Sequence, residues 1–190
     1  RLDVINSSAR LQVTIAFVDR IKDRNEKVIV FAEMKETQRM LQHIFFERYG
    51  VVCKIINGDT PPFVSPFNSN KQSRQSSIDE FQAVDGFNII IMSPIAAGMG
   101  LNVTDANNVI HYSRHWNPAK ENQATDRAYR IGQTKDVYVY YPMAVCSEFR
   151  SFDETLDDLL NRKTSLATST IFPTERMEVT ADDFGQILSI

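Results

Sequence analysis

The strongest constraint on the fold is a set of short runs that have no polar face. Residues 27–32 read KVIVFA, residues 87–92 read FNIIIM and residues 108–112 read NVIHY. A strand points alternate side chains to opposite faces, so a run that is apolar throughout must be covered on both sides. Residues 51–56 (VVCKII) and 136–143 (DVYVYYPM) make two further strands. Between them the apolar spacing becomes helical. Leu11, Ile15, Val18 and Ile21 recur within residues 8–23, and Met40, Leu41, Ile44 and Phe45 within 35–48. Helices are also predicted over 71–81 and 119–131. Residues 61–70, with three prolines, are predicted to be a loop. Strands alternating with helices predict an α/β fold with a mostly parallel sheet between helical layers. In such sheets, ligands bind in the loops at the carboxyl ends of the strands.

The chain has 190 residues, 43% of them hydrophobic, which suffices for a packed core. It does not begin with Met and is read as a piece of something longer. No apolar run approaches the roughly 18 residues that span a bilayer, and residues 1–10 are not a signal peptide. Cys53 and Cys146 are too few for a disulfide framework or a zinc site; both are expected as buried thiols in an intracellular protein. His43, His111 and His115 lack ligand spacing, so no metal site is predicted. Net charge is −3, but from Cys146 onward there are nine acids against four bases, leaving the rest mildly basic. In that acidic end, Phe152, Leu156, Leu159, Leu160 and Leu166 have helical spacing. Thr180-Ala-Asp-Asp183 resembles a helix start. Two amphipathic helices are predicted, packed on the domain or on a partner.

Chemistry concentrates between Ser93 and Gln133. Gly98-Met-Gly100-Leu-Asn102 follows a strand, and such a turn lets backbone N–H groups approach a phosphate or ribose. It equally suits an ordinary strand-to-helix turn. Arg127 and Arg130, three apart, share one helix face and suit a phosphate or carboxylate. A solvated face paired with Asp126 is the plainer alternative. Gln123 lies four before Arg127 on the same face. Trp116, the one tryptophan, sits in a polar setting and could stack on bases or pack in the core. Lys35, Arg74, Ser93 and the Gly58 turn could touch a nucleic-acid backbone or be solvated loop residues. No GxxxxGK[ST] phosphate loop occurs in the chain.

Together these segments resemble the C-terminal RecA-like lobe of the Swi/Snf-type DNA translocases of helicase superfamily two. The resemblance is carried by the strand 27–31, the Gly58 turn, the helix with Arg74, Ile78 and Phe81, the turn 93–102, Trp116-Asn117-Pro118, and QATDRAYRIGQ at 123–133. The last motif is highly specific. The chain departs from the family pattern at Pro94-Ile95, Ala97, Ser113 and Ala32, and between Gly58 and Arg74, where PPFVSPF is read as an insertion.

The resemblance implies a RecA-like three-layer α/β/α sandwich over residues 1–146 and a C-terminal helical extension over 147–190. It implies that Arg127 and Arg130 reach the γ-phosphate of ATP, with Gln123 in the same cleft. ATP and Mg2+ would be held mainly by an N-terminal lobe absent from this chain. Gly98, Gly100 and Asn102 would shape the nucleotide-side turn. Lys35, Arg74 and Ser93 would face the backbone of double-stranded DNA, and Trp116 and Asn117 would sit near the tracked duplex. Such a protein would work in the bacterial nucleoid or, in a eukaryote, in the nucleus, with no membrane partner. An RNA helicase lobe and a catalytically silent docking module are the competing readings.

Overall fold

The computed structural model describes residues 5–63, 72–97, 101–126, 133–169 and 177–188. In chain order the elements are α1 (Ala9–Asp23), β1 (Lys27–Phe31), α2 (Lys35–Tyr49), β2 (Lys54–Ile56), α3 (Arg74–Ala83), β3 (Asn88–Met92), α4 (Pro94–Ala97), β4 (Asn108–His111), α5 (Pro118–Thr125), β5 (Tyr138–Tyr140), α6 (Phe152–Ser169) and α7 (Ala181–Leu188). The sheet order is β2-β3-β1-β4-β5, and every pairing is parallel. Ile29 pairs in register with Ile90 on one side and Val109 on the other.

The two-sided apolar pattern becomes two cores. Ile29, Phe31, Ile90 and Met92 pack with Ile78, Phe81 and Ala124 on the α3–α5 face. Val28, Val30, Ile89 and Ile91 pack with Leu11, Val18, Leu41 and Phe45 on the α1–α2 face. Burying a side chain of this size contributes about 1.5–3 kcal/mol. The fold is therefore a three-layer α/β/α sandwich around a parallel sheet, as the alternating strands and helices predict, and as the resemblance implies.

Local chemistry sets the boundaries. Ser8 and Ser73 cap α1 and α3 by accepting from the N–H groups of Leu11 and Ser76. The Ser73 cap starts α3 three residues later than the apolar spacing predicts. Helix α2 ends at Gly50, whose φ of 70° suits a residue without a Cβ. Gly86 has φ 77°, and a Cβ there would lie 2.4 Å from the Asn25 carboxamide. That carboxamide accepts from the Phe87 N–H at 3.0 Å and fixes the entry to β3. Edge strands β2 and β5 are shorter than their apolar runs because each has a single neighbour; Val52 is already exposed. Cys53 is buried, and burial pushes its thiol up to about 12. Cys146 corrects the expectation of two buried thiols. It lies beyond β5, outside the sheet, and is only half-buried.

The acidic end forms α6 and α7, as the amphipathic spacing predicts. Leu156, Leu159, Leu160 and Val179 make a separate small core with Phe184 against it. Asp183 caps α7 by accepting from the Thr180 N–H at 2.7 Å. Helix α6 is tied to the rest by ion pairs from Asp153 to Arg10 and from Asp157 to Arg114, and the Val179 N–H donates to the Trp116 carbonyl at 2.7 Å. Among the described residues, no helix is long and apolar enough to cross a membrane.

Candidate functional site

The loops at the carboxyl ends of the strands collect most of the residues singled out in the sequence. The turn 57–60 after β2 is a hub. Asn57 donates to the Gln38 carboxamide at 2.7 Å, and Gln38 donates to the Ala32 carbonyl just past β1 at 2.7 Å. Lys35 reaches Asp59 at 2.7 Å across an exposed ion pair. Arg74 donates from Nε to the Thr60 carbonyl at 2.8 Å. The Ser93 N–H donates to the Ile56 carbonyl at 2.9 Å, and its Oγ accepts from the Ala96 N–H at 3.2 Å. Lys35, Arg74 and Ser93 thus meet around one turn, though they are far apart in sequence. Their surroundings differ. Lys35 is solvated, whereas Arg74 and Ser93 are each 8% exposed, Arg74 bonded to the turn and Ser93 to the strand end just before it.

Trp116 and Asn117 lie in the loop after β4. Asn117 is buried and caps α5, accepting from the N–H groups of Ala119 and Lys120 with Pro118 in the first turn. Trp116 is 38% exposed and packs against Phe152 of α6 and Phe184 of α7, at ring-centroid distances of 6.1 and 5.7 Å. Gln123 and Asn102 are exposed. Gly98, Gly100, Arg127 and Arg130 lie outside the described residues.

What fixes α5 is not legible in the sequence. Arg114 donates to both oxygens of Glu121 at 2.9–3.1 Å and pairs with Asp157. Its guanidinium lies 4.2 Å from the Tyr141 ring centroid. Burial would lower the Arg114 pKa, but the carboxylates of Glu121 and Asp157 outweigh it and hold it above the ordinary value. Tyr141 in turn stacks on His111 at 5.2 Å, and His111 on Phe31 at 5.1 Å. His111 Nε2 lies 2.8 Å from the Thr125 hydroxyl, which donates its own proton to the Glu121 carbonyl. His111 must therefore donate, leaving a bare Nδ1 that has no partner among the described residues. Past the arginine segment, Gln133 donates to the carbonyls of Thr104 and Ala106 at 2.8 and 3.0 Å. Arg114 and Glu121 are seven apart across a loop and a helix start, so no periodicity rule pairs them.

Burial, then the nearby Arg114 charge, pushes the His111 pKa down to about 3 from its ordinary 6.5. The unfolded chain takes up this proton first as pH falls. Native stability from His111 is complete above about pH 6.5 and is lost as pH falls towards 3, by up to about 1.4 kcal/mol per pH unit. Urea unfolding between pH 6.5 and 4.5 will show a shallower pH dependence for His111→Gln than for the native chain. Parallel slopes would mean that His111 does not contribute.

A parallel sheet with its chemistry at the strand carboxyl ends, followed by a Gln-x-x-Asp-Arg-x-x-Arg segment, defines a class. The chain belongs to the helicase conserved C-terminal domain family, which matches residues 9–132. Its fold is that of the RecA-like lobe of the Swi2/Snf2-type ATPase cores it resembles. It is 52% identical over 163 residues to the Zorya protein ZorD of Escherichia coli O139:H28 (strain E24377A / ETEC), a match covering 86% of this chain and 14% of ZorD. It is 34% identical over 159 residues to the putative ATP-dependent helicase/translocase YwqA of Bacillus subtilis (strain 168), covering 84% of this chain and 16% of YwqA. The Sulfolobus solfataricus SWI2/SNF2 ATPase core in complex with dsDNA superposes with a TM-score of 0.63 at 30% identity, over 84% of this chain and 30% of that one. The chain therefore spans about a seventh of the length of the two curated relatives.

Proposed function

We propose that this chain is the second motor lobe of an ATP-dependent double-stranded DNA translocase. The observation that carries the reading is the Gln123-to-Gln133 segment. It continues from a helix anchored at the carboxyl edge of the sheet and ends at a glutamine held by two loop carbonyls. The Sulfolobus core bound to dsDNA and the helicase/translocase name of YwqA support the choice of substrate. In this reading, residues 1–146 form the lobe and 147–190 an extension braced against it. A first lobe holds ATP and Mg2+. Arg127 and Arg130 reach across to the γ-phosphate, where guanidinium groups stabilise the charge on the transferring phosphoryl. Gln123, exposed on α5, faces the same cleft. Gly98, Gly100 and Asn102 shape the nucleotide-side turn. Among the described residues, no group of three or more His, Cys, Asp or Glu could hold a metal ion.

Lys35 and the exposed edge of the 57–60 turn give this lobe its grip on a DNA phosphate, with Arg74 and Ser93 supporting that turn and Trp116 and Asn117 next to the tracked duplex. Contacts of this kind tolerate any sequence and weaken with salt. ATP closes the lobes and hydrolysis reopens them, so alternating grip gives stepping. The chain has no phosphate loop, so the purified 190-residue chain is expected not to turn over ATP with or without DNA. Arginine-dependent turnover by it would contradict the division of labour. In the complete protein, duplex DNA is expected to stimulate ATP hydrolysis and RNA is not; stimulation by RNA alone would favour an RNA helicase lobe.

A further inference from the structure

The C-terminal extension adds two phenylalanines to Trp116 and leaves the resulting aromatic cluster partly in water. Phe152 opens α6 and Phe184 lies in α7, and their rings stack at 5.0 Å with 5° between the planes. Trp116, from the loop after β4, is tilted against both. Phe152 is 55% exposed, and in the segment leading into α6 Val145 and Phe149 are 66% and 67% exposed. One exposed apolar residue is ordinary; stacked rings gathered from three parts of the chain and left in water mark an interface. Phe152 and Phe184 lie beyond residues 9–132, which match the helicase family, so the cluster is a property of the extension.

The charge around the cluster selects the partner. Asp153 and Glu154 follow Phe152, and Asp182 and Asp183 precede Phe184, so both helix starts are acidic. Asp153 and Asp183 pair with Arg10 and Lys163, and Glu154 accepts from the Ser151 N–H. Asp182, and Glu148 next to Phe149, are exposed and make no ion pair among the described residues. From Cys146 onward nine acids stand against four bases. This field repels a phosphate backbone and also a second acidic extension, and it attracts a cation. Aromatic faces attract cations as well. Stacked at 5.0 Å, the two phenylalanines leave no room between them, so the cation lies on the exposed side of Phe152.

We propose that this cluster is a docking site for a Lys/Arg-rich peptide segment of a partner protein. Basic head groups meet the acids at the two helix starts, one guanidinium lies over Phe152, and the aliphatic stems cover the rings. The surface goes beyond the motor reading and does not depend on it.

The test uses the complete protein and a short fluorescein-labelled peptide of alternating arginine and leucine, titrated by anisotropy at low salt. A peptide of alternating glutamate and leucine is the control and is expected not to bind. Phe152→Leu keeps the apolar bulk and removes the π face; Asp182→Asn keeps the size and removes the charge. Each is expected to weaken the arginine peptide about threefold, and the two together about tenfold. Phe152→Tyr keeps the ring and is expected to bind as the native protein does. Val52→Ala, at an equally exposed apolar residue beside β2, is expected to change nothing. Asp182 is exposed and Phe152→Tyr is conservative, so the test stands even where Phe152→Leu lowers the melting temperature. Equal binding of the arginine peptide by the native protein, Phe152→Leu and Asp182→Asn overturns the proposal, since charge attraction without a site would then suffice. Duplex affinity lost in Phe152→Leu with peptide binding intact gives the cluster to DNA. Self-association lost in the same variant gives it to a second copy. Either result overturns the proposal too.

Discussion

Replacing Arg130 by alanine in the complete protein is expected to lower DNA-stimulated ATP turnover by about a thousandfold or more. Duplex binding should stay within about twofold, because the residues assigned to DNA are others: Lys35, Arg74, Ser93, Trp116 and Asn117. The size of the effect follows from what a trans-acting arginine does. It meets charge that develops on the transferring phosphoryl and is absent from the ground state, so its loss appears in kcat rather than in affinity. Lysine at this position should rescue little, since a point charge does not reproduce the guanidinium fork. Near-normal turnover by Arg130→Ala would remove the assigned role.

The second large effect is on stability. Glu121→Ala leaves the Arg114 guanidinium in a mostly buried site with Asp157 as its remaining carboxylate partner and leaves the His115 N–H without its acceptor. Breaking one side of a buried ion pair typically costs about 3–5 kcal/mol, far more than the pair contributes in net terms. Asp157 remains, so about 3 kcal/mol is expected. Urea unfolding of the 190-residue chain, followed through its one tryptophan, Trp116, reads this directly. A loss under about 1 kcal/mol would put the cluster on a par with an exposed surface pair.

Much of the fold was legible because its determinants are local. KVIVFA and FNIIIM cannot tolerate a solvent face, and both became central strands buried on each side. The apolar spacing of residues 8–23 and 35–48 gave helices within a residue or so of those observed. Edge strands were overestimated, since a sequence does not reveal that β2 and β5 have one neighbour each. The site was legible in kind but not in detail. Motif spacing pointed to the loops after the strands, and Lys35, Arg74 and Ser93 do converge there. It could not reveal that Arg74 and Ser93 are buried, because the carbonyls that take their N–H groups, those of Thr60 and Ile56, are distant in sequence. Asn117 has a structural duty that its motif does not announce: its carboxamide caps α5, and an Asn just before Pro is itself a cap signal. The Arg114–Glu121 pair is not legible in the sequence because charged residues are usually solvated, and only the three-dimensional path brings Asp157 to it.

The central claim is movement along duplex DNA driven by ATP, and a triplex-displacement assay on the complete protein tests it most directly. With ATP and a duplex track, the account predicts displacement of a bound third strand, blocked by Arg130→Ala and weakened by salt, without separation of the duplex. Stimulated ATP turnover on duplex DNA with the third strand left in place would contradict it.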